Sequence, residues 1–270
     1  MFPQDYHLHS DFSADGRASM EEMCRHAVAA GVSEAGFAEH YDLHPEERPR
    51  DWLRLEPWLQ ELERCRARFA GRLVIRAGIE VGEPHLFQAE MAAMLARGPF
   101  DYVIGSLHWV GPHTVFDPAY FQRPEEEAYR LYFEELERMT RAGGFDVLGH
   151  FDVPVRTGFE FYGPYEPGAH EELIRQVLRN CIELGIALDI NTSAMRKPAR
   201  VLMPGERILR WYVEMGGERA TLGSDAHRPG EVACEFGIAL AAARAAGLHS
   251  LTRFERRRPS LIPLSDSDPA

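Results

Sequence analysis

Short apolar runs rich in β-branched residues alternate along the chain with longer stretches whose apolar positions have a helical spacing. The runs predict seven strands, over residues 3–10, 34–40, 73–80, 102–109, 146–152, 186–193 and 219–227. Helices are predicted over residues 18–30, 52–70, 85–97, 124–142, 168–184, 204–216 and 231–246. Strands that alternate with helices of about 12–18 residues are typical of βαβ units, so we predict an α/β fold with a parallel sheet.

The number of repeats leaves two architectures. Seven strand–helix units can close into a barrel, and they can also form an open, doubly wound sheet. The 270 residues contain no internal repeat and no linker-like segment, and this length is normal for a single α/β barrel. We expect one domain over residues 1–264 and a flexible tail, SDSDPA, over residues 265–270.

The charge balance argues against some classes of function. A net charge of −12 disfavours binding to nucleic acid or to an anionic membrane, because both require a basic surface. The first residues, MFPQDYHLHS, lack the features of a signal peptide, and no apolar run approaches the roughly 18 residues of a membrane span. The cysteines are far apart and are expected to be reduced thiols: Cys24, Cys65, Cys181 and Cys234. We therefore predict a cytoplasmic protein.

Polar side chains lie at the end of every predicted strand, and they include six of the 12 histidines. In strand order these residues are His7 and His9, His40, Glu80, His108, His150, Asn191, and Asp225 with His227. The C-terminal ends of the strands in a parallel barrel converge on one face, where active sites are built. Residues i and i+2 of a strand point the same way, so His7 and His9 can reach one ion.

These side chains are suitable ligands for metal ions. Imidazole and carboxylate groups suit Zn, Mn or Fe. The ligands exceed the need of one ion, and Glu80 carries two oxygens that can bridge two ions. We therefore predict two or three divalent metal ions in one pocket.

The motifs HLHSDFSADG, AEH, GIE, GSLHW, GHFD and GSDAH, in this order, resemble those of the polymerase-and-histidinol-phosphatase (PHP) superfamily. The resemblance is closest to its histidinol-phosphatase branch. It covers nearly the whole chain, including NTSAMRKP and TRFERRRPSLIPL. It implies a distorted (β/α)7 barrel, similar to a TIM barrel, with a trinuclear metal centre that hydrolyses phosphate esters.

The resemblance also implies a set of ligands for each ion. The implied sets are His7, His9, Glu80 and Asp225 for the first ion, Glu80, His108 and His150 for the second, and Asp15, His40 and His227 for the third. Some members of the superfamily have a histidine in place of Asp15. The acidic residue at this position resembles the histidinol-phosphatase branch.

The expected reaction is the hydrolysis of a phosphomonoester by a water molecule bound to a metal ion. The pKa of such a bound water can fall to about 7. Asp225 is the predicted proton acceptor, and His227, or water on the third ion, is the predicted donor to the leaving group. Arg156 and Arg196 follow the fifth and sixth strands, at the same face. We predict that they contribute to catalysis by binding the substrate phosphate, because the guanidinium fork matches two phosphate oxygens.

The branch acts on L-histidinol phosphate, a small-molecule phosphate ester whose ammonium and imidazole groups require acidic or aromatic neighbours. The candidates for these neighbours are Asp42, Glu160 and Tyr162, and Trp109 is expected at the rim of the pocket. Trp52 is expected to pack in a helix, and His85 and His170 are expected at the surface. The sequence indicates no oligomeric state.

Three other functions remain as alternatives. A PHP phosphoesterase that degrades oligonucleotides needs a positive channel, and the chain has no evident basic stripe. An amidohydrolase-like barrel also begins with His-x-His, but many of these bridge their metals with a modified lysine, and Lys197, the only lysine, follows the sixth strand. A non-catalytic metal-binding protein is disfavoured because every ligand position is filled.

Overall fold

The computed structural model describes residues 2–50 and 52–264, so the predicted tail at 265–270 lies outside the described residues. Seven parallel strands form one sheet, in the order β1 (Asp5–Leu8), β2 (Glu34–Tyr41), β3 (Val74–Gly82), β4 (Tyr102–Ser106), β7 (Val147–Leu148), β8 (Ala187–Asn191) and β9 (Ala220–Gly223). His9 N donates to Ala226 O, and Ala226 N donates to His7 O. These bonds join the first strand to the segment after the last one, so the sheet is a nearly closed barrel and the predicted (β/α)7 fold is confirmed.

The helices alternate with the strands. They are α1 (Met20–Ala29), α2 (Leu55–Arg68), α3 (Gln88–Leu95), α4 (Glu125–Ala142), α5 (Val155–Tyr162), α6 (Glu171–Leu184), α7 (Glu206–Glu214) and α8 (Phe236–Ala246). Only α5 was not predicted, because it is short and lies between Pro154 and Gly163. Over the described residues, no helix has the length and apolar character needed to cross a membrane.

Two hairpins complete the fold, and neither was predicted. The first, β5 (Trp109–Val110) with β6 (His113–Thr114), follows β4 at the C-terminal end of the barrel. The second pairs β10 (Ser250–Glu255) with β11 (Arg258–Pro263) and lies at the N-terminal end, where Arg257 N donates to Asp101 O.

The N-terminal end of the barrel is filled by aromatic side chains. The Tyr102 ring stacks on Tyr6 at 4.9 Å and lies 6.3 Å from Phe254 of β10. The Tyr102 ring lies so close to Gly78 of β3 that a Cβ at this glycine would be 2.3 Å from it. The centre of this end is therefore packed, whereas the strands finish at the opposite end.

Candidate metal centre

A cavity of about 560 Å³ opens at the C-terminal ends of the strands. The predicted ligands lie in its walls or directly beneath them, because each follows or ends a strand of the barrel. His7 and His9 form the floor and are completely buried. The residues that the sequence singled out thus lie together at one end of the barrel, and their role as ligands stays a prediction.

The ligand atoms fall into three groups, and the atoms of each group lie within 4.8 Å of one another. The groups are His7, His9 and Asp225; Glu80, His108 and His150; and His9, His40 and His227. The group of Glu80, His108 and His150 equals one implied set. The other two groups differ from the implied sets, because Glu80 is absent from the first, and His9 takes the place of Asp15 in the third. Asp15 lies beside the third group, with its carboxylate 3.0 Å from His227 Nε2 and 3.7 Å from His40 Nε2.

Glu80 lies between the groups, at the end of β3. Its Oε1 is 3.3 Å from His7 Nε2 and 3.2 Å from His150 Nε2. Its Oε2 is 2.9 Å from His40 Nδ1 and 3.6 Å from His9 Nε2. The two oxygens thus face different sets of imidazoles, which is the arrangement that a bridging carboxylate requires.

Two nitrogens of the site, His7 Nε2 and His9 Nε2, are buried without a hydrogen-bond partner. Burial of unpaired lone pairs is costly unless a cation accepts them. Although burial raises the pKa of Glu80 and of Asp225, the neighbouring imidazoles, above all His7, hold both values well below the ordinary range. Ionised carboxylates beside unpaired imidazole nitrogens fit zinc, iron or manganese.

The opposite ring nitrogens hold the imidazoles in place. His7 Nδ1 lies 2.8 Å from Asp189 Oδ2, and His9 Nδ1 lies 3.1 Å from Ser13 Oγ. Ser13 Oγ in turn donates to Glu39, whose carboxylate also accepts from Ser10 N. Such partners aim the other ring nitrogen at the metal site.

Sequence reasoning missed Ser13 and Asp189. Asp189 carried a usable signal, because it lies two residues before Asn191 and so faces the same side of its strand. Ser13 carried none, because its contacts with His9, Glu39 and His40 depend on how the loop after β1 folds.

Asp225 follows β9 with a φ of +51°, a left-handed conformation that aspartate tolerates better than most residues. Arg196 supports this turn, since its Nη1 and Nη2 atoms donate to the carbonyls of Ser224 and Asp225 at 2.9 and 3.1 Å. Arg196 does not line the cavity, whereas Arg156 does, with its guanidinium 4.8 Å from the centre of the Phe116 ring. The binding of phosphate by both arginines stays a prediction.

Asp42 and Trp109 line the cavity, and the Trp109 indole donates to Glu47. Trp52 was expected to pack within a helix, but it precedes α2, is 45% exposed and lines the cavity. Glu160 and Tyr162 do not line it, and the Tyr162 hydroxyl donates to backbone carbonyls instead.

Two histidines were predicted to lie at the surface, and both predictions are wrong. His85 is largely buried and its ring contacts Glu135 at 2.7 Å. His170 is buried beside Tyr165, because the short helix Pro167–His170 turns its ring towards α4.

The sequence model of the PHP domain family matches residues 5–193 of this chain. A histidinol-phosphatase from Lactococcus lactis is 30% identical over 258 residues, 93% of each chain, and a probable histidinol-phosphatase from Deinococcus radiodurans is 31% identical over 262 residues, 94% of this chain and 97% of the relative. A crystal structure of histidinol phosphate phosphatase from Lactococcus lactis, complexed with zinc, L-histidinol and phosphate, has a TM-score of 0.86 at 29% identity and covers 96% of this chain and 98% of its own. The motifs at the strand ends and these similarities agree, and the chain belongs to the PHP domain family.

Proposed function

We propose that this chain is a metal-dependent histidinol-phosphatase, which hydrolyses L-histidinol phosphate to L-histidinol and phosphate in histidine biosynthesis. One observation carries the proposal. Three groups of metal-competent side chains lie around Glu80 in a cavity that is also lined by Arg17, Arg48 and Arg156. A chain similar over 96% of this one holds zinc, L-histidinol and phosphate.

The ions would be held by the three ligand groups, with Asp15 as a further ligand beside His40 and His227. When bound, two or three divalent ions would activate a water molecule and neutralise the charge that develops on the phosphate. The unpaired buried Nε2 atoms of His7 and His9 support this proposal.

Asp225 is suited to accept a proton, because its low pKa keeps the carboxylate ionised at neutral pH. His227 is suited to donate one to the leaving alkoxide when its Nε2 holds no ion; with an ion held there, water bound to that ion would supply the proton instead. Burial lowers the pKa of this imidazole, but the Asp15 and Asp225 carboxylates outweigh that effect and raise it above its ordinary value. His227 Nδ1 lies 3.1 Å from the Asp225 carbonyl, which leaves Nε2 facing Asp15 and the cavity.

Arg17, Arg48 and Arg156 line the cavity, and we assign the phosphate to Arg156, whose guanidinium lies over the Phe116 ring. Arg196 donates two N–H groups to backbone carbonyls, and we assign its remaining N–H groups to the phosphate. The acidic Asp42 and Glu47, with Trp109, supply neighbours for the cationic part of the leaving group.

The proposed partner is thus a small phosphate ester and no nucleic acid, in keeping with the net charge of −12. The proposed compartment is the cytoplasm, which suits four free thiols. Immunodetection of the native protein in fractionated cells checks the second point, and recovery in a membrane or exported fraction would contradict it.

Phosphate release from L-histidinol phosphate, p-nitrophenyl phosphate and AMP, with metal analysis of the same preparation, tests the function. We expect a kcat/KM that is far higher for L-histidinol phosphate, and activity that a chelator abolishes and Mn, Zn or Fe restores. Comparable efficiency on all three esters would overturn the substrate, and full turnover by metal-stripped protein would overturn the mechanism.

A further inference from the structure

Asp189 is a buried carboxylate beneath the cavity that the proposed reaction does not use. It lies on β8, is 1% exposed and does not line the cavity. Its Oδ2 is 2.8 Å from His7 Nδ1 and accepts a hydrogen bond of 2.8 Å from Asn191 Nδ2. The same oxygen lies 3.5 Å from the backbone nitrogen of His150.

The charge of Asp189 needs a donor in this position. Within residues 2–50 and 52–264, its only ion pair is with His7. An ionised carboxylate loses its hydration on burial, and only strong hydrogen bonds offset that loss. His7 meets this requirement only with a proton on Nδ1. That tautomer leaves the lone pair on Nε2, the atom that faces Glu80 and Asp225.

Steric packing fixes the pair as well. An ideal Cβ at Gly223 of β9 would lie 2.2 Å from Asp189 Oδ1 and 2.7 Å from His7 Cβ. The glycine of the GSDAH motif therefore lets β9 lie directly against both side chains. A side chain at position 223 would displace Asp189 or His7.

We propose that Asp189 is a positioning residue that holds His7 as the Nδ1–H tautomer and thereby sets the affinity of the metal site formed by His7, His9 and Asp225. The proposal rests on the metal-binding part of the proposed function. Because Asp189 also approaches the backbone of His150, a change at this position affects the neighbouring group of Glu80, His108 and His150 more weakly.

The test compares zinc binding to the wild-type protein and to Asp189→Asn by competition with a chromogenic chelator. The amide keeps the shape but removes the charge. We expect one zinc ion to bind about 10–100-fold more weakly, as is typical when a carboxylate partner of a metal-bound histidine is lost. Excess zinc should restore much of the phosphatase activity. Unchanged zinc affinity at every site would overturn the proposal.

Asp146→Asn is the matched control. This carboxylate is also largely buried, but it precedes β7 at the opposite end of the barrel, where it accepts from Val103 N and pairs with Arg257. The zinc affinity of Asp146→Asn should equal that of the wild-type protein. An equal loss of affinity in both variants would show a general effect of charge removal and would overturn the specific role of Asp189.

A second measurement needs no variant. ¹⁵N NMR of the zinc-loaded wild-type protein reports which nitrogen of each imidazole carries the proton, and we expect His7 to carry it on Nδ1. A His7 ring protonated on Nε2 would overturn the proposal even if Asp189→Asn fails to fold. Neither readout uses turnover, so a protein that binds zinc as expected and releases no phosphate would refute the proposed function alone.

Discussion

Glu80 is the residue on which the ligand groups of the cavity converge, and it is almost fully buried. Its position at the end of β3 could be predicted, because strand ends of a parallel barrel meet on one face. The alternation of side chains along a strand places Asp189 on the same face as Asn191, but its pairing with His7, like that of Ser13 with His9, could not be predicted. It depends on which ring nitrogen faces which neighbouring strand, and this is a property of the register and not of any local pattern.

Glu80→Gln should abolish the bridging role, because an amide has one oxygen and no charge. We expect the loss of at least one bound ion and a fall in kcat/KM of more than about 100-fold. Inductively coupled plasma analysis and phosphate release measure the two effects. Glu63→Gln, on the exposed side of α2, should change neither. Retention of all ions in Glu80→Gln would contradict the assignment.

Arg156→Ala should weaken phosphate binding. Hydrogen bonds to charged groups are worth about 1.5–3 kcal/mol, so we expect kcat/KM to fall by roughly 10–150-fold and inhibition by inorganic phosphate to weaken in parallel. Arg123→Ala is the control, because Arg123 also covers an aromatic ring, Tyr120, but does not line the cavity. If Arg156→Ala keeps the wild-type inhibition constant for phosphate, Arg156 does not bind it.

At the scale of elements, the strands and the long helices followed from the hydrophobic pattern. The hairpins did not, for reasons visible in their turns. Arg256 and Arg257 connect β10 to β11 with φ values of +48° and +62°. Hairpin turns of this kind normally contain glycine or asparagine, so a pair of arginines gave no signal. The strands of the other hairpin have two residues each, too few for any alternation to appear.

The turn after β3 contains a buried carboxyl group, Glu83, whose ionisation affects the stability of the fold. Glu83 is 1% exposed, and its Oε1 accepts from the backbone nitrogens of His108 and Trp109. Burial raises the pKa of Glu83 to about 7, which the His108 contacts only partly oppose. A carboxyl with a raised pKa favours folding below its unfolded value of about 4.5, and this contribution disappears as the pH rises through about 7.

Glu83→Gln should therefore flatten the pH dependence of stability. The amide oxygen can still accept both backbone bonds, and it has no charge to desolvate. We expect the metal-free variant to gain up to about 3 kcal/mol relative to the wild type at pH 8, and little at pH 4.5. Urea unfolding of both metal-stripped proteins at the two pH values measures the difference. A constant difference across this range would contradict the role of the carboxylate.

At the scale of the whole molecule, the ligands of one small cavity come from strands all around the barrel. A ligand that binds only the folded state stabilises it, so metal removal should lower the melting temperature of the entire barrel. In the metal-free protein, the Glu80 and Asp42 carboxylates outweigh burial and raise the pKa of His40 to about 10, and Glu80 and Asp42 likewise raise the pKa of His108. The His40 and His108 rings therefore carry an additional proton near neutral pH, and a metal ion must displace that proton to bind.

We therefore expect the stabilisation by zinc to grow as the pH rises from 6 to 8 and zinc uptake to release protons. Differential scanning calorimetry with and without a chelator measures the first effect. Titration calorimetry in two buffers of different ionisation enthalpy measures the second. Binding heats that do not depend on the buffer would show that the imidazoles are already neutral before the ion arrives.

The seam of the barrel, where His7 and His9 meet Ala226, has a consequence for the synthesis of the protein. The ligand group of His7, His9 and Asp225 combines residues from the two ends of the sheet. During synthesis the histidine pair emerges from the ribosome well before Asp225, which follows the last strand of the barrel. This ligand group can therefore be completed only after nearly all of the barrel has been synthesised.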